Sequence, residues 1–181
     1  MFKHIIDASR IIYDTSPVKV IVKKAVSPIE IGGMKLDLDV EGIEIQIPRW
    51  AAIKLAELGI VEAKLADEIS LKDLLGVLWK ESREINLTEI DPNFYYKLKR
   101  KLRNLREESM RNPAPEILDK LRRFENAARD VISCRIQKIV QAALSESLPQ
   151  EFLEVMTFEE RALLNEISRL INEWRRHILE V

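Results

Sequence analysis

A cluster of basic residues stands out in this sequence because it could bind phosphate groups. Six bases occur within ten residues, with no acid between them: Lys97, Lys99, Arg100, Lys101, Arg103 and Arg106. Such a stripe attracts the phosphate backbone of nucleic acids, and the adjacent Tyr95 and Tyr96 could stack on exposed bases. The pattern predicts a candidate DNA contact through Lys97, Lys99, Arg100, Lys101 and Arg103.

Two other interpretations account for the same stripe. The bases could be the solvated face of an amphipathic helix, with their aliphatic stems covering apolar surface. They could also pair with acidic segments, within the chain or across an interface. Residues 92–138 carry a net charge of +7, whereas residues 61–91 and 139–181 carry −4 each, and the whole chain carries −1. This distribution favours charge pairing, so DNA contact is the secondary interpretation.

No arrangement of residues predicts catalysis, a metal site or a cofactor. His4 and His177 are far apart in the sequence, and Cys134 has no neighbouring histidine that would activate it as a nucleophile. The chain has no HExxH or CxxC motif. Gly32 and Gly33 are not followed by the Lys-Ser/Thr of a phosphate-binding loop and favour a hairpin turn instead. We therefore expect a protein that is not an enzyme.

Composition limits the class of protein further. Apolar residues make up 46% of the chain, which excludes a wholly disordered protein. No run of about 18 apolar residues predicts a membrane span, and the N-terminus does not resemble a signal peptide. The single cysteine is typical of a reducing compartment. We expect a cytoplasmic protein.

Alternating apolar residues predict a small β module over residues 1–62. Alternation at period two marks strands at 18–22, 36–40 and 43–47. The Gly32–Gly33 pair predicts a hairpin, and residues 60–61 could add a further strand. Two helices complete this module, one over residues 3–13 and one from Pro48 to a glycine cap at Gly59.

Only one glycine follows Gly59, so a domain boundary is expected near 62–70, with an all-α domain over residues 70–181. Capping pairs predict helix starts at Ser70 and Thr157, and Asp91–Pro92 predicts a third start. The longest helix is expected from about Glu116 to Leu144. The predicted fold class is α+β, a small N-terminal β module followed by an all-α helical-bundle domain.

The longest helix also predicts an oligomer. About 28 residues of α-helix span about 42 Å, whereas a domain of about 110 residues has a radius of gyration of only ~13 Å. A helix that overhangs its domain with a continuous apolar face requires a partner chain. The candidate subunit-interface residues are Phe94, Tyr95, Leu98, Leu102, Phe124, Ile132, Ile136, Ile139 and Trp174.

Three segments, taken in order, resemble a known family. Residues 47–55 (IPRWAAIKL) resemble a helix start that follows the last strands of GINS subunits, and residues 91–96 (DPNFYY) resemble that family's proline and double-aromatic helix start. Residues 129–138 (RDVISCRIQK) resemble the aspartate, arginine and lysine run of its next long helix. With a β domain ahead of an α domain, the chain resembles the archaeal 23-type subunit, which is similar to eukaryotic GINS subunits two and three.

The resemblance implies a non-catalytic assembly factor of DNA replication in an archaeal cell. It implies a 2:2 heterotetramer with a second GINS subunit of the 51-type, in which the α domains form the core. It also implies binding to the MCM replicative helicase and to a RecJ-like protein, with Arg49, Trp50 and Lys54 as the candidate partner surface. The alternative is a stand-alone nucleic-acid-binding module that uses the basic 95–106 helix.

Overall fold

The computed structural model describes residues 2–63, 68–145 and 147–179 and divides into two compact units. The β unit comprises residues 7–67, and the helical unit comprises residues 1–6 and 68–181. Short strands come first in the chain and long helices follow. The predicted α+β fold class is therefore confirmed.

The first part of the chain forms two helices and five short strands: α1 (Phe2–Thr15), β1 (Pro17–Val22), β2 (Ile29–Ile31), β3 (Met34–Leu36), β4 (Glu44–Pro48), α2 (Arg49–Glu57) and β5 (Val61–Ala63). An antiparallel three-stranded sheet has the order β4-β1-β5, and β2 and β3 form a separate hairpin. Val20 pairs with Ile45 on one side of β1 and with Ala63 on the other. Valines of β1 and the apolar face of α2 form the buried core of this unit.

Two details of the predicted β module are wrong. The strand expected to reach Val40 ends at Leu36, although Leu38 is still fully buried. Beyond Leu36 the backbone leaves the hairpin, and the Leu38 carbonyl accepts a hydrogen bond from the amide of Val26 instead. The helix expected to start at Pro48 starts one residue later, at Arg49, and Pro48 is the last residue of β4. A proline is tolerated there because β4 is an edge strand of the sheet, where the missing N–H withholds no required donor.

The hairpin turn gives a first testable prediction. Gly32 has φ +59°, and a Cβ atom at this position would lie 3.3 Å from the ring of Trp50. An L-residue in this conformation costs about 1–2 kcal/mol, and crowding against Trp50 adds to that cost. Gly32→Ala should therefore destabilise the β unit more than Gly33→Ala, since Gly33 also has positive φ but open space around it. Thermal unfolding of both variants measures the difference, and equal losses would contradict the contact with Trp50.

Five helices form the second part of the chain: α3 (Leu71–Glu81), α4 (Phe94–Arg111), α5 (Pro115–Leu144), α6 (Gln150–Glu154) and α7 (Phe158–Leu179). The Ser70 side chain accepts from the amide of Asp73, and the Asp73 carboxylate accepts from the amide of Ser70, so the predicted capping box is confirmed. The predicted start of α4 at Pro92 is wrong by two residues. Asp91 instead closes a turn, because its side chain accepts from the Asn93 amide at 2.7 Å and its carbonyl accepts from Phe94.

Helix α5 is the central element of the helical unit, since it contacts α3, α4 and α7. Its buried positions include Phe124, Ala128, Val131, Arg135 and Ile139. The predicted face also contained Ile136, which is exposed. The buried face of α5 therefore contains Arg135, between Val131 and Ile139, and does not contain the neighbouring Ile136.

Candidate functional site

Arg135 lies at the middle of α5 and is fully buried. Its guanidinium donates to both oxygens of Glu160, from Nε at 2.5 Å and from Nη2 at 2.9 Å. Nη1 donates to the Glu81 carboxylate and, at 2.9 Å, to the backbone carbonyl of Thr88. A planar guanidinium matches a carboxylate in this two-pronged geometry better than a lysine could.

Glu81 ends α3 and is 2% exposed. Its Oε1 accepts from the amide of Thr88 at 3.0 Å and from the Thr88 hydroxyl, while Oε2 accepts from Lys138 Nζ at 2.5 Å. Burial alone would raise the pKa of this carboxyl. The hydrogen bonds from Lys138 and Thr88 and the charge of Arg135 outweigh burial and lower the pKa of Glu81 below its ordinary value.

Glu160 lies in the first turn of α7 and is also 2% exposed. Its Oε1 accepts from the Tyr95 hydroxyl at 2.6 Å, and its Oε2 accepts from the amide of Thr157 at 3.0 Å. The Glu160 amide donates back to the Thr157 side chain, which completes the predicted capping box. Burial and the negative charge of Glu160 raise the pKa of Tyr95, so its hydroxyl stays a donor.

We call Arg135, Glu81, Glu160, Tyr95, Lys138 and Thr88 the Arg135 cluster. It joins α3, α4, α5, α7 and the segment that follows α3. All four carboxylate oxygens accept hydrogen bonds, and the two acids are balanced by two bases. A buried, charge-balanced network of this kind fixes the relative positions of the helices that carry it.

The lowered pKa of Glu81 predicts acid sensitivity. The folded-state pKa lies below the ordinary value of 4.5. The stabilisation is therefore fully present above that value and is lost as the pH falls through the folded-state pKa. Urea unfolding between pH 7 and pH 3 should show this loss, and Glu81→Gln should have a flatter pH dependence. A carboxyl NMR titration of Glu81 in the unsubstituted chain provides a second measurement, and an unshifted titration would contradict the prediction.

The nine candidate interface residues differ in exposure: some are buried, some are half-buried and two are exposed. Phe94, Leu98, Phe124 and Ile139 are buried inside the chain's own core, so the prediction that they contact a partner is corrected. Tyr95 belongs to the Arg135 cluster, and Leu102 and Ile132 are half-buried against the same core. Only Ile136 and Trp174 are exposed.

Ile136 and Trp174 each belong to a row of exposed apolar side chains, and we call the two rows the α5–α7 strip. Its residues recur every four positions on each helix and are all exposed: Ile136, Val140 and Leu144 on α5, and Leu170, Trp174 and Ile178 on α7. A shallow groove lined by Leu144, Leu170, Ile171, Trp174 and Arg175 joins the two rows. Trp174 is 65% exposed. Exposed apolar rows of this size on packed helices are typical of an interface with another chain.

Much of the basic stripe is used within the helical unit. Lys97 pairs with Asp91 at 2.7 Å, Lys101 pairs with Glu68 at 2.6 Å, and Arg106 pairs with Glu125 at 2.7 Å. Lys99 and Arg103 are exposed, whereas Arg100 is half-buried. Tyr95 is held by Glu160 and does not face solvent as a stacking platform would. These contacts favour charge pairing over a phosphate-binding role.

The three candidate partner-surface residues of the β unit have unequal exposure. Arg49 is half-buried with its guanidinium 4.3 Å from the centre of the Tyr13 ring, a cation–π distance. Trp50 is half-buried and lies against the hairpin at Gly32. Lys54 is exposed and pairs with Glu57 at 2.9 Å. Arg49 and Trp50 therefore stabilise their own unit, and only Lys54 faces solvent.

Within the described ranges, no group of three or more His, Cys, Asp or Glu residues could hold a metal ion. No helix in the same ranges combines the length and hydropathy required to cross a bilayer. Cys134 is half-buried on α5.

The cluster was missed by sequence reasoning. Glu81 and Glu160 are 54 and 25 positions from Arg135, and no local pattern connects residues so far apart. One signal was available, since Arg135 lies four residues after Val131 and four before Ile139, at a core position of an amphipathic helix. A charged residue at such a position requires buried partners of opposite charge.

The chain combines a small β unit with a helical bundle that exposes two rows of apolar side chains. A family model, Sld5, described as the GINS complex protein helical bundle domain, matches residues 57–179, about two thirds of the chain. The chain therefore belongs to the GINS family, and its role lies in the GINS complex of DNA replication. A comparison with curated proteins finds no match.

Proposed function

We propose that this chain is a non-catalytic, 23-type subunit of an archaeal GINS complex. It would assemble with a 51-type subunit as a 2:2 heterotetramer in the cytoplasm, associated with the nucleoid. The order of its two parts supports the 23-type assignment, because most of the β unit precedes residues 57–179, which the family model matches. The Arg135 cluster, in which both buried carboxylates are paired with bases, supports a role without chemistry.

The observation that carries the proposal is the α5–α7 strip. Six large apolar side chains are exposed in two rows within the matched domain. Burying such a surface against a partner removes it from water, at about 25 cal/mol per Å² of apolar area. Because the chain belongs to the GINS family, the proposed partner is a second GINS subunit, and the strip is the surface that would contact it.

The tetramer in turn would bind the MCM helicase and a RecJ-like protein and activate unwinding. A scaffold changes a helicase by binding one arrangement of it more tightly than another, without supplying reacting groups. In the β unit, Lys54 is the proposed contact residue, since Arg49 and Trp50 are engaged with their own unit.

Co-expression with a 51-type subunit tests this function. We expect one complex by native mass measurement and light scattering, with two copies of each chain. We also expect that complex to raise DNA unwinding by MCM. A well-folded monomer that does not bind the 51-type subunit would refute the proposal. Salt-sensitive DNA binding by the lone chain, lost in Lys99→Glu/Arg103→Glu, would favour the nucleic-acid alternative instead.

A further inference from the structure

Helix α3 exposes a second apolar surface that the proposed function does not use. Leu75 and Trp79 lie one helical turn apart, and Trp79 is 57% exposed. The Arg83 guanidinium lies 4.3 Å from the centre of the Trp79 ring. Gly76 lies between them in the sequence, and a Cβ atom at this position would meet no atom within 4 Å, so the space beside the helix backbone is open. We call these residues, with Lys72 and Lys80, the α3 outer face.

The backbone that carries the α3 outer face is anchored at both ends of the helix. The Ser70–Asp73 capping box fixes the first turn of α3, and the fully buried Leu74 anchors its inner side. Glu81 fixes the last turn through Arg135 and Lys138. A surface held in one conformation before binding loses little conformational entropy when a partner arrives.

Three basic residues, Lys72, Lys80 and Arg83, flank Leu75 and Trp79, and the exposed acids of the same segment are Asp73 and Glu84. Lys72, Lys80 and Arg83 are exposed, and none forms an ion pair with any residue of the described segments. The Asp73 carboxylate accepts hydrogen bonds from the amide and the hydroxyl of Ser70. A ligand for this face therefore has negative charges beside apolar side chains.

This charge pattern disfavours a symmetric contact between the α3 outer faces of two copies of the chain. Two α3 outer faces would bring like charges together, and the groove of the α5–α7 strip is itself lined by Arg175. The apolar centre favours a protein over a nucleic acid, because Leu75 offers a base no stacking plane and Arg83 covers one side of the Trp79 ring. Tryptophan and arginine are also the residues most enriched at the energetic centres of protein interfaces.

We propose that the α3 outer face binds an acidic amphipathic helix of a partner protein. Apolar side chains of that helix, four residues apart, would contact Leu75 and Trp79 and approach the backbone at Gly76, where the space is open. Flanking Asp or Glu side chains would pair with Lys72, Lys80 and Arg83. This binding site is independent of the α5–α7 strip and of the tetramer.

Fluorescence anisotropy with synthetic peptides tests the proposal on the full chain. The probe is a labelled 18-residue helical peptide with Leu at every fourth position and Glu beside it, and the comparison peptide replaces Glu with Lys. We expect the acidic peptide to bind at least tenfold more tightly, with an affinity that falls as salt rises. Trp79→Ala and Arg83→Glu should each weaken binding at least tenfold, whereas Trp174→Ala, at an exposed tryptophan of another helix, should not.

Gly76→Ala distinguishes an effect on peptide binding at Gly76 from an effect on the stability of the fold. Alanine favours helix over glycine, so this variant should unfold at a higher temperature yet bind the acidic peptide several-fold more weakly. Equal binding of both peptides, or unchanged binding by Trp79→Ala, would overturn the proposal. Trp79-dependent binding of labelled oligo-dT would overturn it in favour of nucleic acid. Loss of the tetramer in Trp79→Ala would overturn it in favour of a subunit contact, while leaving the proposed function intact.

Discussion

Replacement of Arg135 with methionine is expected to destabilise the helical unit by about 3–5 kcal/mol, the cost of leaving a buried charge without its partner. Glu81 would keep Lys138, but Glu160 would lose both of its guanidinium hydrogen bonds while remaining buried. Urea unfolding followed by circular dichroism at pH 7 measures the loss. Arg129→Met is the matched control, because Arg129 is an exposed arginine of the same helix.

Two further variants identify the cause of that loss. Arg135→Lys keeps the charge but cannot reach both carboxylates with a planar fork, so it should fall between the parent and Arg135→Met. Adding Glu160→Gln to Arg135→Met should recover part of the stability, since the buried charge is gone while an amide oxygen still accepts from Tyr95. A change below about 0.5 kcal/mol for Arg135→Met, typical of surface substitutions, would show that the cluster contributes nothing.

Local signals predicted most of the elements of this fold. The Gly32–Gly33 hairpin and the capping boxes at Ser70 and Thr157 depend on residues within four positions of one another. Each was confirmed because the physical cause lies inside the segment. The predicted start of α4 was wrong because the local signal is ambiguous: an aspartate such as Asp91 can close a turn as readily as it can cap a helix.

The site was harder to predict because one pattern has two physical meanings. Phe94 and Trp174 both follow helical apolar spacing, yet one is in the core and the other is 65% exposed. Periodicity finds an apolar face but does not tell whether the same chain or another chain covers it. On α5 the pairs Val131–Ile132 and Ile139–Val140 are both apolar, so the sequence left the direction of the face undetermined.

Two of the three segments that carry the family resemblance have a shared structural role. Residues 91–96 contain Tyr95, and residues 129–138 contain Arg135 and Lys138, and these three side chains meet at Glu81 and Glu160. The resemblance therefore follows the residues that fix how the helices pack. Tyr95, named at first as a residue for an interface or for base stacking, serves in this internal network instead.

The second large effect is expected at the α5–α7 strip. Trp174→Glu should weaken association with a 51-type subunit by about 2–4 kcal/mol, the range for tryptophans at the centre of an interface. This corresponds to roughly a 30- to 700-fold increase in Kd. The isolated chain should keep its stability, because Trp174 is exposed before assembly. Isothermal titration calorimetry with the 51-type subunit measures the change.

Trp79→Glu is the control for this prediction, since it places the same charge at a tryptophan of similar exposure on α3. It should leave association with the 51-type subunit unchanged. Ile136→Glu provides an independent position on the α5 row and should weaken association in the same direction as Trp174→Glu. If both strip variants associated as tightly as the parent chain, the strip would not be the subunit contact. The family's assembly would then have to use another surface, because the other candidate interface residues are buried or half-buried within this chain.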